Sequence, residues 1–384
     1  MKRSTERILT THTGSLPRPP DLTNLMYDKA DGKPVDTATL KDSFKTATAE
    51  VVRQQIKAGI DVINDGEYTK VGYSTYVTDR LTGFDGESVP IGTAEMQDYP
   101  EYWGRLFSGT EMEGFKHLKT PACTGPVGLK DPQAVQRDID NFKAALQGAV
   151  PEDIFFTAAS PGVIAVFLAN QYYPSEEAYL MALADAMRAE YEAIAKAGLV
   201  LQLDCPDLAM SRQMGAFADM TVEQFRKVAA LRVEAINHAV ANIPAEQLRM
   251  HICWGNYEGP HERDVPLRDI IDIVLTAKPS AISIEASNPR HEHEWKVFED
   301  IKLPEGKALI PGVIDSTNNY IEHPELVALR ILNYAKLVGR ENVMAGSDCG
   351  FGTFVGLYTV DPKITWRKFE SLAEGARLAS QQLW

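Results

Sequence analysis

The chain has 384 residues, 44% of them hydrophobic and 24% charged, with a formal net charge of −14; that balance can bury a full core and excludes a disordered chain. The acidic surplus repels phosphate backbones and anionic membranes, and no Lys/Arg cluster breaks it, so no nucleic-acid partner is expected. The N-terminal MKRSTERILTTHTGSLPRPP lacks the apolar run of a signal peptide, and no segment approaches the ~18 apolar residues of a membrane span. A cytoplasmic protein is expected, with its four cysteines reduced.

The first strand fits Ile8 to Thr13. Leu40 to Ala58 reads as a helix with Phe44, Ala47, Val51 and Ile56 on one side, closed by Gly59 before a second apolar strand, Ile60 to Asp65. A long connection rich in Gly, Tyr and Phe follows, roughly Thr75 to Lys119; such a loop is either a lid over a binding site or a surface excursion packed by its own aromatics. The apolar stretch Pro121 to Val127 reads as an accessory hairpin.

Ile154 to Ala159 is the third strand. Pro174-Ser175-Glu176-Glu177 opens a helix with Leu180, Leu183, Met187, Tyr191 and Ile194 facing inward, which stops at Gly198 before the strand Leu199 to Asp204. The junctions Lys57-Ala58-Gly59-Ile60 and Lys196-Ala197-Gly198-Leu199 echo each other. Further strands fit Leu248 to Cys253, Ala281 to Glu285, Ala308 to Ile314 and Val343 to Ser347, separated or followed by helices at Val222 to Ile243, Leu267 to Ala277, Pro324 to Val338 and Trp366 to Leu383. Alternating β and α units give a parallel sheet, and eight strands give a closed (β/α)8 TIM barrel spanning residues 1–384 as a single catalytic domain, with 75–128 as an insertion after strand two. An open doubly wound sheet is the alternative, but no GxGxxG follows an early strand.

Function in such a barrel gathers at the carboxyl ends of the strands. Those ends read Thr13-Gly14-Ser15, Asp65-Gly66-Glu67, Asp204-Cys205, His251 with Cys253, Glu285, Asp315 and Asp348-Cys349. Alternation along a strand points His251 and Cys253 the same way, so they can grip one ion. A single His or Cys on a strand is ordinarily core. Here His251, Cys253, Glu285 and Cys349 offer one imidazole, two thiolates and a carboxylate, a set that suits tetrahedral zinc and disfavours Mg²⁺ or Ca²⁺.

In order, His251-Ile-Cys253, the Ile-Ser-Ile-Glu285-Ala-Ser segment, Pro-Gly-Val-Ile-Asp315 and Ser-Asp-Cys349-Gly resemble the catalytic domain of cobalamin-independent methionine synthase. The likeness extends to Thr13-Gly14-Ser15, Asp65-Gly66-Glu67 and Gln202-Leu203-Asp204. It implies a barrel, zinc held by His251, Cys253, Glu285 and Cys349, and a thiol acceptor that the metal activates for alkylation, in the first place homocysteine. It further implies that Ser15 and the Gly14 backbone bind the acceptor's carboxylate, that Glu67 and Asp204 bind its amine, and that Asp315 belongs to the catalytic set.

Two departures bear on the alkyl donor. Thr317 stands where that family carries a histidine thought to protonate the departing folate, which leaves His323 or a lid residue to supply an acid. Cys205 stands in place of a glutamate, and the folate-stacking tryptophan falls near Phe167. The chain also resembles the epoxyalkane:coenzyme M transferases in Thr-His-Thr-Gly-Ser-Leu-Pro-Arg and in the Asp-Ser-Thr-Asn-Asn-Tyr-Ile-Glu-His-Pro-Glu run; opening an epoxide with coenzyme M is therefore the alternative reaction, and the sulfonate would need a cation such as Arg18. His261, His291 and His293 are expected at the surface, and Cys205 in the core.

Overall fold

A computed structural model describes residues 1–88, 92–108, 114 and 116–384. After α1 (Pro20–Ala30) and α2 (Thr37–Lys57) comes the short strand β1 (Val62–Ile63), then β2 (Leu81–Ser88), α3 (Ala94–Asp98), α4 (Pro100–Ser108) and β3 (Pro121–Leu129). The chain continues through α5 (Ala134–Ala145), β4 (Asp153–Ala159), α6 (Pro161–Phe167), α7 (Glu176–Lys196), β5 (Val200–Asp204), α8 (Val222–Ala239) and β6 (Leu248–Ile252). It ends with α9 (Ile271–Val274), β7 (Ala281–Ile284), α10 (Val297–Asp300), β8 (Ala308–Ile314), α11 (Pro324–Val338), β9 (Gly346–Ser347) and α12 (Pro362–Leu383).

Helix boundaries follow the local chemistry. Ser175 accepts from the Ala178 N–H to cap α7, Glu176 and Glu177 lie in its first turn, and Gly198 takes φ +82° just beyond its end. Thr221 and Gln224 form a reciprocal capping box on α8. The inward face of α7 buries Leu180, Leu183, Met187, Tyr191 and Ile194; each aliphatic side chain so buried contributes about 2 kcal/mol.

Among the described residues, seven strands form one parallel sheet in the order β1-β4-β5-β6-β7-β8-β9. The residues expected as the first strand appear as a single parallel bridge, Thr10 to Ala345. They still close the barrel: Thr11 N donates to Ala345 O at 2.8 Å on one side, and Val62 N donates to Thr10 O at 2.9 Å on the other. The segment is too short in ladder hydrogen bonds to count as a regular strand because its polar side chains take over part of the pairing, Thr10 Oγ1 donating to Gly59 O and Thr11 Oγ1 to Val62 O.

Inside the barrel the layers are distinct. Leu9, Val62, Phe155, Val200, Ala281, Ala308, Ile310 and Met344 make an apolar plug near the strand starts. Next comes Arg249, fully buried over the Phe155 ring, donating to Gln202 Oε1, Thr11 Oγ1 and the His12 carbonyl. The carboxyl ends of the strands open beyond it, and the register sets Asp204 beside His251 and His251 beside Ser283. Met96, Trp103 and Phe107 of α3 and α4 reach over this end. The expected hairpin of the 75–128 excursion is an antiparallel ribbon of β2 and β3, with Leu81 opposite Leu129 and Ser88 opposite Pro121, and α3 and α4 follow the first of those strands.

Candidate active site

His251 is the penultimate residue of β6 and Cys253 follows its end, so strand alternation sends both into the barrel mouth. Cys349 arrives from the loop after β9. One ligand atom from each lies within 4.8 Å of the others, and the two sulfurs are 3.9 Å apart, near the ~3.8 Å edge of a tetrahedron with metal–sulfur bonds of about 2.3 Å. Imidazole Nε2 of His251 is buried without a hydrogen-bond partner, while Nδ1 meets Ser283 Oγ at 3.2 Å. Burial, with Arg249 behind it, pushes His251 down to about 3, so the ring is the neutral form a metal requires. The hydrogen bond with Cys349, burial and the charge of Glu285 raise the Cys253 thiol well above its usual range; such a pair becomes thiolate when a cation joins it. An orphaned imidazole nitrogen beside two thiols fits zinc.

Glu285 stands at the edge of this group. Its Oε1 accepts from Trp254 N at 2.8 Å and its Oε2 from Asn288 Nδ2 at 3.1 Å, and burial raises its pKa. Each oxygen keeps lone-pair capacity beyond its one hydrogen bond.

The same cavity carries two carboxylates on its wall, Glu67 and Asp204. Glu67 sits in left-handed backbone, φ 60°, held by Asp65 Oδ1 accepting from its N–H at 3.0 Å; a strained non-glycine residue of this kind persists where its side-chain position is over-determined. Its Oε2 is buried and unpartnered. Gly14, at φ +147°, lies so close that a Cβ there would be 2.5 Å from Glu67 Oε1. Asp204 accepts from Gln202 Nε2 at 2.7 Å, and burial together with neighbouring Glu67 holds its pKa well above the ordinary range. Ser15 joins them on the cavity wall.

Asp315 does not line this cavity. Its Oδ1 accepts from the N–H and hydroxyl of Thr317, and its Oδ2 from Asn318 Nδ2 at 2.6 Å; Thr317 is the one that reaches the wall. His323 is exposed, and its Nδ1 caps α11, accepting from Glu325 N. Arg18 is buried but turned away, its guanidinium donating to the carbonyls of Gly352, Glu67 and Lys70. Cys205 is fully buried in the core, as expected. The surface expectation holds for His293 but is corrected for His261 and His291, each 3% or less exposed. They are drawn in by aromatic stacking, His291 on Trp254 and His261 on Tyr257, and by Asp264, which bridges the two rings.

The cavity above the ligands has a volume of about 470 Å³. Its outer wall is largely apolar and includes residues the sequence reading passed over: Tyr73, Phe354 and Met210 from the barrel loops, and Met96, Trp103 and Phe107 from α3 and α4. The Tyr257 hydroxyl bonds Glu95 Oε2 of α3 at 2.8 Å, and Arg263 pairs with Asp98. The 75–128 excursion is thereby tied to the loop that carries Cys253.

Among known proteins, a family model described as the cobalamin-independent synthase, catalytic domain, matches residues 167–361. Methionine synthase of Saccharolobus solfataricus is 25% identical over 97% of this chain and 95% of its own length, and that of Thermococcus kodakarensis 23% identical over 97% and 94%. A structure of a B12-independent methionine synthase from Shewanella sp. W3-18-1 in complex with selenomethionine covers 98% of this chain and 99% of that one, with a TM-score of 0.72 at 19% identity. A putative vitamin-B12-independent methionine synthase from Listeria monocytogenes has a TM-score of 0.66 at 18% identity, with coverage of 98% and 99%. These two likenesses support the barrel. No helix among the described residues is long and apolar enough to cross a membrane. Because the matched model runs from Phe167 to Asp361, through Asp204, His251, Cys253, Glu285, Asp315 and Cys349, the chain belongs to the cobalamin-independent methionine synthase family by its catalytic domain.

Proposed function

We propose that the protein is a zinc-dependent thiol alkyltransferase that methylates a homocysteine-type acceptor, the activity named for its relatives. The supporting observation is the meeting of His251 Nε2, Cys253 Sγ and Cys349 Sγ at the floor of a cavity walled by Glu67 and Asp204. His251, Cys253, Cys349 and Glu285 would hold the ion. When bound, zinc lowers the pKa of a substrate thiol, which then reacts as the thiolate at neutral pH. Two thiolates and a carboxylate in the donor set outweigh the dication's charge, which keeps electron density on the substrate sulfur and favours attack on carbon.

Glu67 and Asp204 bind and orient the acceptor's ammonium group, two carboxylates waiting for one cation. Ser15 and the backbone at Gly14 take its carboxylate. Asp315 is a positioning residue, fixing Thr317 on the cavity wall and holding Asn318 beside it. Residues 75–128 act as a lid that excludes water. Coenzyme M, with a sulfonate and no amine, would meet Glu67 and Asp204 without help from Arg18, whose guanidinium is engaged with the carbonyls of Gly352, Glu67 and Lys70; an amino-acid thiol fits better.

The test is zinc content per chain, by elemental analysis of protein purified without added metal, followed by proton release on addition of homocysteine or coenzyme M. One zinc per chain, lost in Cys349→Ser, with a proton released by homocysteine alone, is the expected result. A metal-free protein that releases no proton would overturn the assignment.

A further inference from the structure

We propose, resting on the thiol-activating reading above, that the alkyl donor is a small onium cation, a methylsulfonium or a methylated quaternary ammonium. Three features of the donor side of the cavity point there.

Aromatic residues line it. Tyr73, Phe167 and Phe354 stand with ring centroids 5.3 to 5.9 Å apart, and Trp103 of α4 meets Tyr257 at a tilt, 5.2 Å between centroids. All five line the cavity. These pairs are tilted or edge-on to one another, and aromatic rings lining a cavity bind onium groups through the ring quadrupole, most strongly where water is excluded.

The charge is of one sign. Glu258 joins Glu67 and Asp204 on the wall, and among the described residues no lysine or arginine lines it. Residues 89–91, 109–113 and 115 contain no basic residue in the sequence. An anionic donor would be buried here without a counter-charge, whereas a cation is welcomed by Glu258.

Neither Thr317 nor His323 is placed to serve the leaving group as an acid. Thr317 occupies the wall above Asp315, and His323 is spent on capping α11. A folate amine and an epoxide oxygen each need a proton as the carbon–heteroatom bond breaks. An onium donor does not: the acceptor thiolate sulfur forms its bond to the methyl carbon, the C–S⁺ or C–N⁺ bond breaks, and the electron pair stays on the departing atom, giving a neutral thioether or amine. The acceptor's own thiol proton has already gone to solvent on binding.

The experiment uses the zinc-loaded enzyme with homocysteine and three methyl probes: trimethylsulfonium, tetramethylammonium and 5-methyltetrahydrofolate. Methionine formation above the enzyme-free control is followed together with release of dimethyl sulfide or trimethylamine, and onium affinity is read by calorimetry. The expected result is methionine from an onium probe, the released gas telling sulfonium from ammonium, and onium affinity at least tenfold weaker in Trp103→Leu and several-fold weaker in the conservative, exposed Glu258→Gln, with zinc content retained in both. Methionine from the folate and from neither onium overturns the proposal, as does failure of all three while zinc and homocysteine-dependent proton release persist. Loss of zinc and of proton release in the unmodified protein would instead overturn the thiol-activating reading on which this proposal rests.

Discussion

Asn256 Nδ2 donates to the Gly350 carbonyl at 2.8 Å, joining the loop after Cys253 to the residue that follows Cys349. Its Oδ1 accepts from Ser316 Oγ at 2.8 Å, which adds the loop after β8. One amide therefore sets the spacing of two thiols that come from strands nearly a hundred residues apart. Such outer contacts are typically worth ten- to a hundredfold in metal affinity. Asn256→Ala is expected to weaken zinc binding by about that factor in a chelator competition, with the circular dichroism spectrum unchanged; unaltered affinity would show that the cysteines are held by their own strands.

The pairing of Glu67 with Asp204 yields a prediction of opposite signs. Asp204 is destabilised by burial and by its carboxylate neighbour, so Glu67→Gln should raise the thermal midpoint of the ligand-free protein. The same change should raise the KM for homocysteine by about ten- to a hundredfold, the loss of one charge-assisted hydrogen bond of roughly 1.5–3 kcal/mol. A thiol without an amine, 4-mercaptobutyrate, should be nearly indifferent. If both thiols suffer equally, Glu67 shapes the pocket and does not read the ammonium.

The buried histidines carry a pH dependence. Burial works against the charged form of His291, but Asp264 on Nε2 at 3.0 Å and Glu294 on Nδ1 at 2.7 Å outweigh it and push the pKa up to about 9. A folded-state value above the unfolded one, about 6.5, means that this stabilisation is complete below pH 6.5 and disappears as the pH rises through 9. Urea unfolding from pH 6 to 10 should show the unmodified protein losing up to about 3 kcal/mol relative to His291→Gln over that interval. Parallel curves for the two proteins would contradict the assigned charge.

Much of this was legible before the fold was known, for identifiable reasons. Strands such as Leu248–Ile252 are short apolar runs ending in polar residues, and a barrel sends those ends to one place, so His251, Cys253, Asp204 and Cys349 could be gathered on paper. Helix α7 announced itself by Ser175 and Gly198. What escaped depends on distant partners. His261 and His291 sit in Pro- and Asn-rich turns that read as surface, and only stacking on Tyr257 and Trp254 buries them. The partner of β3 lies some forty residues earlier in β2, beyond any local signal. Thr10 pairs as a bridge because threonine side chains share its hydrogen bonding.

The contact between α3 and the loop after Cys253 gives the last prediction. Glu95 of α3 is fully buried, and Tyr257 donates its hydroxyl to Glu95 Oε2 at 2.8 Å while accepting from Gln213 Nε2 at 3.0 Å. Burial and the Glu95 carboxylate keep that phenol protonated far above neutral pH, so the bond persists throughout the working range. Tyr257→Phe removes the donor and strands a buried carboxylate oxygen, a cost of about 1–3 kcal/mol that falls on the docking of α3 and α4 and not on the barrel. Limited proteolysis should therefore cut within α3 and α4 roughly ten times faster or more, and the KM for the alkyl donor should rise, while zinc content stays at one per chain. Combining Tyr257→Phe with Glu95→Gln separates the bond from the side chains: if the two changes together cost less than the sum of each alone, the hydroxyl–carboxylate contact itself docks α3, whereas strict additivity would assign that docking to the Trp103–Tyr257 ring contact and the Arg263–Asp98 pair.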